Sequence, residues 1–240
     1  MRYLYEHFSK YYDLFFENNA FYNRCIQFIE ATLQEYGHNP KSLLELACGT
    51  GIVLEHFVGK YEISGLDISA PLLERAKEKF PDVPFYEMNM ASFQLNKRYD
   101  IILCMYDSIN HLLEYQNWIN TFQCVKNHMN SGSIFIFDMT TQEALDRLTQ
   151  SPAQVLQVDD TYLIANITKD NESVVNWNLK VFNKVKGNIY ELKEDNIKEI
   201  TFSQQKVHEG LQKLFGKIKV QAFQDVSDSI TNRLFFVCQV

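Results

Sequence analysis

The chain has 240 residues, of which 46% are hydrophobic, 14% aromatic and 22% charged, with a formal charge of −7. This is a globular composition with room for one α/β domain and an elaboration, and the thinly spread Lys and Arg argue against a nucleic-acid partner. The five cysteines form no CxxC pair and no Cys/His spacing that suits zinc, so scattered thiols in a reducing compartment are expected and no metal is. The N-terminus MRYLYEHFSKYYD lacks the apolar core of a signal peptide, and no apolar run approaches the roughly 20 residues of a bilayer span. A cytoplasmic protein with no membrane partner is expected, its oligomeric state left open.

Tyr5, Phe8, Tyr12 and Phe15 fall on one face of a short helix, and Phe21, Cys25, Phe28, Ile29, Leu33 and Tyr36 continue the period as a second helix, which Gly37 and Pro40 end. Alternation follows. Ser42–Ala47 reads as a strand, then a Gly-rich turn, then a helix from about Gly51 to Val58. Glu62–Leu66 is a second strand with Pro71–Lys79 as its helix, and Phe85–Met88 is a third. Asp100–Met105 is a fourth, with a helix through Trp118, Phe122 and Val125, and Ser133–Phe137 is a fifth. Strands alternating with helices imply parallel βαβ units with both sheet faces covered.

The rhythm changes after about Ser151. Val155–Val158, Thr161–Thr168, Val174–Val185 and Asn188–Lys193 read as antiparallel strands of a small second sheet, and the sparse basic group Lys184, Lys186 and Lys193, broken by Glu191 and Glu194, reads as its solvated face. A helix over Gln204–Phe215 and a strand pair, Lys217–Phe223 and Arg233–Gln239, close the chain. The expected organisation is one domain over 1–240. Within it lie a helical segment at 1–36, a cofactor-binding core at 37–150, an insertion at 151–200 and closing elements at 201–240.

The run Leu43 to Gly51, LLELACGTG, joins a strand to a helix. Glycine permits a tight turn and a close ligand, and the helix that follows offers unpaired N–H groups and a positive dipole end. Glu45 ends the strand within reach of a cationic ligand group. Asp67 ends the next strand, near the offset of about 20 residues where a ribose-binding acid is found. Cys48, inside the turn, suits a structural role better than nucleophilic chemistry.

These residues resemble the acid-x-Gly-x-Gly-x-Gly motif of class I S-adenosylmethionine-dependent methyltransferases of the small-molecule type. Glu45, Gly49 and Gly51 match, and Ala47 replaces the first glycine. The resemblance extends through Asp67, through Glu87-Met88-Asn89-Met90 and through Tyr99-Asp100, and covers about residues 40–140. It implies a Rossmann-like, doubly wound α/β sheet of seven strands with the last antiparallel, an N-terminal helical lid and an antiparallel β insertion. It also implies S-adenosylmethionine contacts from Tyr12, Glu45, Ala47, Cys48, Gly49, Gly51, Asp67, Ile68, Asn89, Met90 and Met105. Asn89 stands where the family often has Asp; it is equally a common turn residue after a strand.

The segment Met105-Tyr-Asp107-Ser-Ile-Asn-His111 resembles the acceptor-side stretch of small-molecule methyltransferases, and the insertion resembles theirs in placement, which favours an amine over a hydroxyl acceptor. Asp107 and His111 are the candidate catalytic residues, His111 the better base because it titrates near neutrality when unperturbed; Asp107 or Ser108 equally suits a helix cap. Tyr11-Tyr12-Asp13 resembles the lid segment, in which Tyr12 either meets the methionine carboxylate or shapes the acceptor pocket. Trp177 belongs either to that pocket or to sheet core. The rivals are an NAD-dependent oxidoreductase, which wants a fuller G-x-G-x-x-G turn, a cofactor-binding protein without transferase activity, and an RNA methyltransferase.

Overall fold

The computed structural model describes residues 5–17, 20–36, 39–224 and 231–240. The side chain of Phe21 and the helix stop at Gly37 lie outside them. Five parallel strands, β1 (Ser42–Leu46), β2 (Glu62–Asp67), β3 (Phe85–Glu87), β4 (Tyr99–Cys104) and β5 (Met129–Thr140), lie in one sheet with β10 (Lys217–Gln224) and β11 (Thr231–Gln239). The order is β10-β11-β5-β4-β1-β2-β3, and β11 runs antiparallel to both of its neighbours. This is the seven-stranded, doubly wound sheet with an antiparallel last strand.

Side-chain alternation along the strands builds both faces. Ile102, Cys104, Phe135, Phe137, Leu234 and Phe236 pack on one side with Trp118 and Phe122 of α5 (Tyr115–Asn127) and with Val207 and Leu211 of α7 (Gln204–Gln212). The intervening residues Ile101, Leu103, Ile134, Ile136, Phe235 and Val237 meet the other side. There they pack with Cys25, Ile26, Ile29 and Leu33 of α2 (Ala20–Tyr36), and with α3 (Ile52–Glu55) and α4 (Ala70–Lys79). Apolar runs such as IILC and IFIF need helices on both faces, because no residue of the run can be left in water.

Four antiparallel strands, β6 (Gln154–Val158), β7 (Thr161–Lys169), β8 (Val175–Lys186) and β9 (Ile189–Glu199), form the second sheet, reached through α6 (Gln142–Gln150). Leu163, Ala165, Leu179, Val181 and Ile197 share one of its faces and bury Phe8 of the N-terminal segment, whose 3-10 turn (Phe8–Tyr11) runs into α1 (Tyr12–Phe16). Several boundaries differ from expectation. The helix after the glycine turn covers only Ile52–Glu55, since the chain leaves it at His56 and turns through Gly59 at φ +75°. β5 begins at Met129, β9 runs on to Glu199, and α7 stops at Gln212.

β2 passes beneath the glycine turn, and Cys48 N–H donates to the Leu66 carbonyl at 3.0 Å. A Cβ on Gly65 would lie 2.6 Å from Cys48 Sγ and 2.7 Å from the Phe85 ring. Gly65→Ala is therefore expected to destabilise the protein by about 1–3 kcal/mol through overpacking. Thermal melting checks this, and an unchanged melting temperature would contradict it.

Candidate active site

The turn after β1 reverses through Ala47 at φ +51°, Gly49 at +55° and Gly51 at +82°. Glycine adopts this region freely, whereas alanine holds it against roughly 1–2 kcal/mol, which is why a glycine is usual at the position that Ala47 holds. Asp67 braces the turn: Gly49 N–H donates to its Oδ2 and Ser69 N–H to its Oδ1, both at 2.8 Å. A carboxylate has about four acceptor positions, so Asp67 keeps lone pairs for further donors.

Glu45 is 3% exposed, and its Oε2 has no hydrogen-bond partner among the described residues. Burial, with nearby Asp67 adding to it, pushes this carboxyl well above the usual carboxylate range. A buried carboxyl with a free oxygen beside a glycine turn is a receptor for a cation, and the methionine end of S-adenosylmethionine carries one; the residues fit that cofactor. Of the other expected contacts, Met90 and Met105 are buried beside the turn, while Ile68 is 46% exposed. Asn89 is exposed and its Oδ1 accepts from Ala91 N–H at 2.8 Å, a local turn bond. Burial raises the Cys48 thiol well above its ordinary value, which suits packing rather than nucleophilic attack.

A cavity of about 250 Å³ opens between the N-terminal segment, the loop after β4 and the inner face of the small sheet. Tyr5, Phe8, Tyr12, Tyr22 and Trp177 supply aromatic walls, and Asp107, His111, Glu199 and Arg233 the polar groups. It adjoins the glycine turn: Asp13 of α1 accepts from Thr50 Oγ1 and pairs with Lys79 Nζ of α4 at 2.7 Å. The Tyr12 hydroxyl shares a 3.1 Å hydrogen bond with Tyr22. Burial pushes it to about 12; the Tyr22 bond opposes this, and Asp107, Asp67 and Glu45 add to it.

Tyr106 and Asp107 take positive φ, +59° and +53°, without being glycine. Asp138, at the end of β5 and fully buried, holds them there by accepting from Tyr106 N–H at 2.6 Å and Asp107 N–H at 3.1 Å. Arg233 of β11 then joins the two acids, Nη1 to Asp138 Oδ2 at 2.6 Å and Nη2 to Asp107 Oδ2 at 3.0 Å. Thr140 Oγ1 donates to the same Asp107 oxygen at 2.9 Å. Asp107 therefore does not cap the short 3-10 turn Ser108–His111 through its side chain, and Ser108 Oγ donates to Met105 O at 2.7 Å.

His111 Nδ1 lies 3.1 Å from the Lys198 carbonyl, and Nε2 lies 3.4 Å from the Tyr5 hydroxyl. A carbonyl only accepts, so Nδ1 carries the proton, and in the neutral ring the lone pair sits on Nε2, the nitrogen facing Tyr5. The sequence pointed to Tyr12, Asp107, His111 and Trp177, which the fold brings to this cavity. It did not point to Asp138, Arg233, Glu199 or Tyr5. The one available signal was Asp138, a lone carboxylate closing the apolar run IFIFD.

Residues 43–132 match the family model described as methyltransferase domain. Among curated relatives, the chain is 40% identical over 78 residues to a dTDP-3-amino-3,6-dideoxy-alpha-D-glucopyranose N,N-dimethyltransferase of Streptomyces fradiae. That match spans 31% of each chain. It is 26% identical to the putative methyltransferase YqeM of Bacillus subtilis, over 98% of this chain and 97% of that one. Among solved structures, an S-adenosylmethionine-dependent methyltransferase from Clostridium acetobutylicum superposes with a TM-score of 0.83 at 20% identity, covering 98% of both chains. DesVI of Streptomyces venezuelae gives 0.80 at 19% identity, covering 96% of this chain and 97% of its own. No helix among the described residues is long and apolar enough to cross a membrane.

Proposed function

We propose that the protein methylates an amine of a small molecule held between the N-terminal aromatic segment and the small sheet, using S-adenosylmethionine bound at the glycine turn. The observation that carries this reading is the aromatic cavity beside that turn, into which His111 turns a basic nitrogen. S-adenosylmethionine supplies a methyl group on a cationic sulfur, open to in-line displacement by an acceptor lone pair.

Glu45 would take the cofactor's ammonium, Asp67 its ribose hydroxyls, and Ile68 one face of its adenine. Tyr12 closes the space between the two ligands. An amine enters as an ammonium at neutral pH and must lose a proton before its lone pair can attack; His111 Nε2 accepts that proton. Asp107, committed to Arg233 and Thr140, acts by orienting this loop and the electrostatics of the cavity, not as the base. Aromatic walls favour a cation over a neutral hydroxyl acceptor. The Streptomyces fradiae relative is named for an amino-sugar substrate, and an amino-sugar acceptor suits the cavity.

Calorimetric titration with S-adenosylmethionine and S-adenosylhomocysteine, followed by a methyl-transfer assay on amino-sugar nucleotides, tests the reading. His111→Gln is expected to lower kcat by about 10²–10⁴-fold, the range of a lost general base, with the cofactor affinity unchanged. Undiminished turnover in that variant would remove His111 from the chemistry. Absence of cofactor binding would defeat the reading as a whole.

A further inference from the structure

The two faces of the small sheet differ. Leu163, Ala165, Leu179, Val181 and Ile197 point inward and bury Phe8. Strand register fixes what points the other way. Val155 stands opposite Ile164, and Tyr162, Phe182 and Leu192 stand in a row across β7, β8 and β9, with Tyr190 two residues along. These six share the outer face, where the Tyr162 and Tyr190 rings meet edge to face at 6.0 Å between centroids. None of the six enters a buried cluster among the described residues, and Val155 remains 61% exposed, Leu192 43% and Tyr190 38%. Of ten large apolar side chains exposed among the described residues, six lie in these four strands. That concentration marks an interaction face, since incidental apolar surface is scattered singly over a molecule.

Two ion pairs frame the stripe, Lys180 with Glu194 at 3.0 Å and Lys184 with Asp160 at 2.9 Å. Each presents both signs, so the frame is neutral on a chain of charge −7. A strongly charged partner finds no excess charge to match there. A second copy turned over on a two-fold axis sets lysines against carboxylates, and the apolar stripe meets its own likeness. Past the stripe the face continues through uncharged amides: Asn196 Nδ2 donates to Asn178 Oδ1 at 2.7 Å, and Asn178 Nδ2 to the Asn166 carbonyl at 3.2 Å. Strands about 4.8 Å apart with about 3.3 Å per residue give the face roughly 600 Å² in projection. Side-chain relief brings the accessible area near the ~800 Å² per partner of a stable interface. We propose that this outer face is a two-fold interface with a second copy of the chain, the two sheets stacked about 10 Å apart. The small sheet lines the cavity with its opposite face, so pairing uses none of the cavity's residues.

Sedimentation equilibrium of the full chain is expected to give about twice the 28.2 kDa monomer mass, with a dissociation constant of about 1 μM or below. Leu192→Lys is expected to weaken the dimer about 100-fold, because the lysine is then buried against the second copy without a partner. Tyr190→Lys, nearer the hairpin tip, is expected to act likewise, and melting curves show that each variant is folded. Val58→Lys, on exposed surface in the turn after α3, is expected to leave the dimer unchanged. A monomer at every concentration gives the face to a different partner and overturns the proposal. So does a dimer that both β9 variants leave intact, which would place the contact elsewhere, such as the edge of β6 across the sheet from Leu192. The readout is mass alone, so it stands or falls apart from the methyl-transfer reading.

Discussion

Replacing Arg233 by methionine is expected to destabilise the protein by about 3–5 kcal/mol, the cost of stranding buried charges that had a partner. The guanidinium bridges two acids from different elements, Asp138 at the end of β5 and Asp107 in the loop after β4. Asp138 is fully buried, and without Arg233 its charge keeps the two backbone N–H donors of Tyr106 and Asp107. The positive φ angles of these two residues depend on that carboxylate. Arg233→Lys should recover little, because an ammonium lacks the planar fork that reaches two acids at once. Adding Asp138→Asn to Arg233→Met should return part of the loss, since it removes the stranded charge. Denaturant unfolding of the three variants decides the matter; a loss under about 1 kcal/mol in Arg233→Met would place the bridge among weak surface pairs.

Glu45→Gln is expected to do two opposite things: weaken S-adenosylmethionine binding by about 10–100-fold, the scale of a charge-assisted hydrogen bond, and stabilise the free protein above acidic pH. Burial, reinforced by Asp67, holds the Glu45 carboxyl well above its usual range. Below the unfolded pKa, about 4.3, folded and unfolded chains both keep the proton and stability is unaffected. As pH rises past that value the unfolded chain ionises first, and stability falls until the folded carboxyl also ionises. Glutamine removes this loss. The melting temperature of Glu45→Gln should exceed that of the parent by a margin that grows between pH 4 and pH 7, while calorimetry records the weakened ligand. A variant that melts lower at pH 7 would mean that Glu45 has a structural partner in the fold.

The parallel half of the molecule was legible because its signals are local. Unbroken apolar runs identify strands covered on both faces, and the motif from Glu45 to Gly51 lies within seven consecutive residues. Where the local pattern misled, a backbone event cancelled it. Ile52, Val53, Leu54, Phe57 and Val58 carry a helix-like spacing, yet the chain abandons the helix at His56. Gly132 reads as a breaker before the fifth strand, although the strand passes through it at φ +86°. The aromatic cavity was only half legible. Asp107 and His111 share one short segment, but Arg233 lies 95 positions from Asp138 and 126 from Asp107. A single arginine before an apolar strand gives no hint of that distance being closed. Glu199 and Trp177 acquire meaning only through the β8–β9 register, which fixes which face of the small sheet they occupy.

Asp13 ties the N-terminal segment to the glycine turn and to α4. It takes a hydrogen bond from Thr50 in the glycine turn and an ion pair from Lys79, while its neighbour Tyr12 walls the aromatic cavity. A movement of the N-terminal segment to admit an acceptor would loosen the bonds that Asp13 makes to Thr50 and Lys79. If both ligands bind as proposed, occupancy of each site would alter the affinity of the other, and thermodynamic reciprocity would make the two effects equal in size. On the reading proposed above, the short aromatic segment would link the two ligands as a coupled pair.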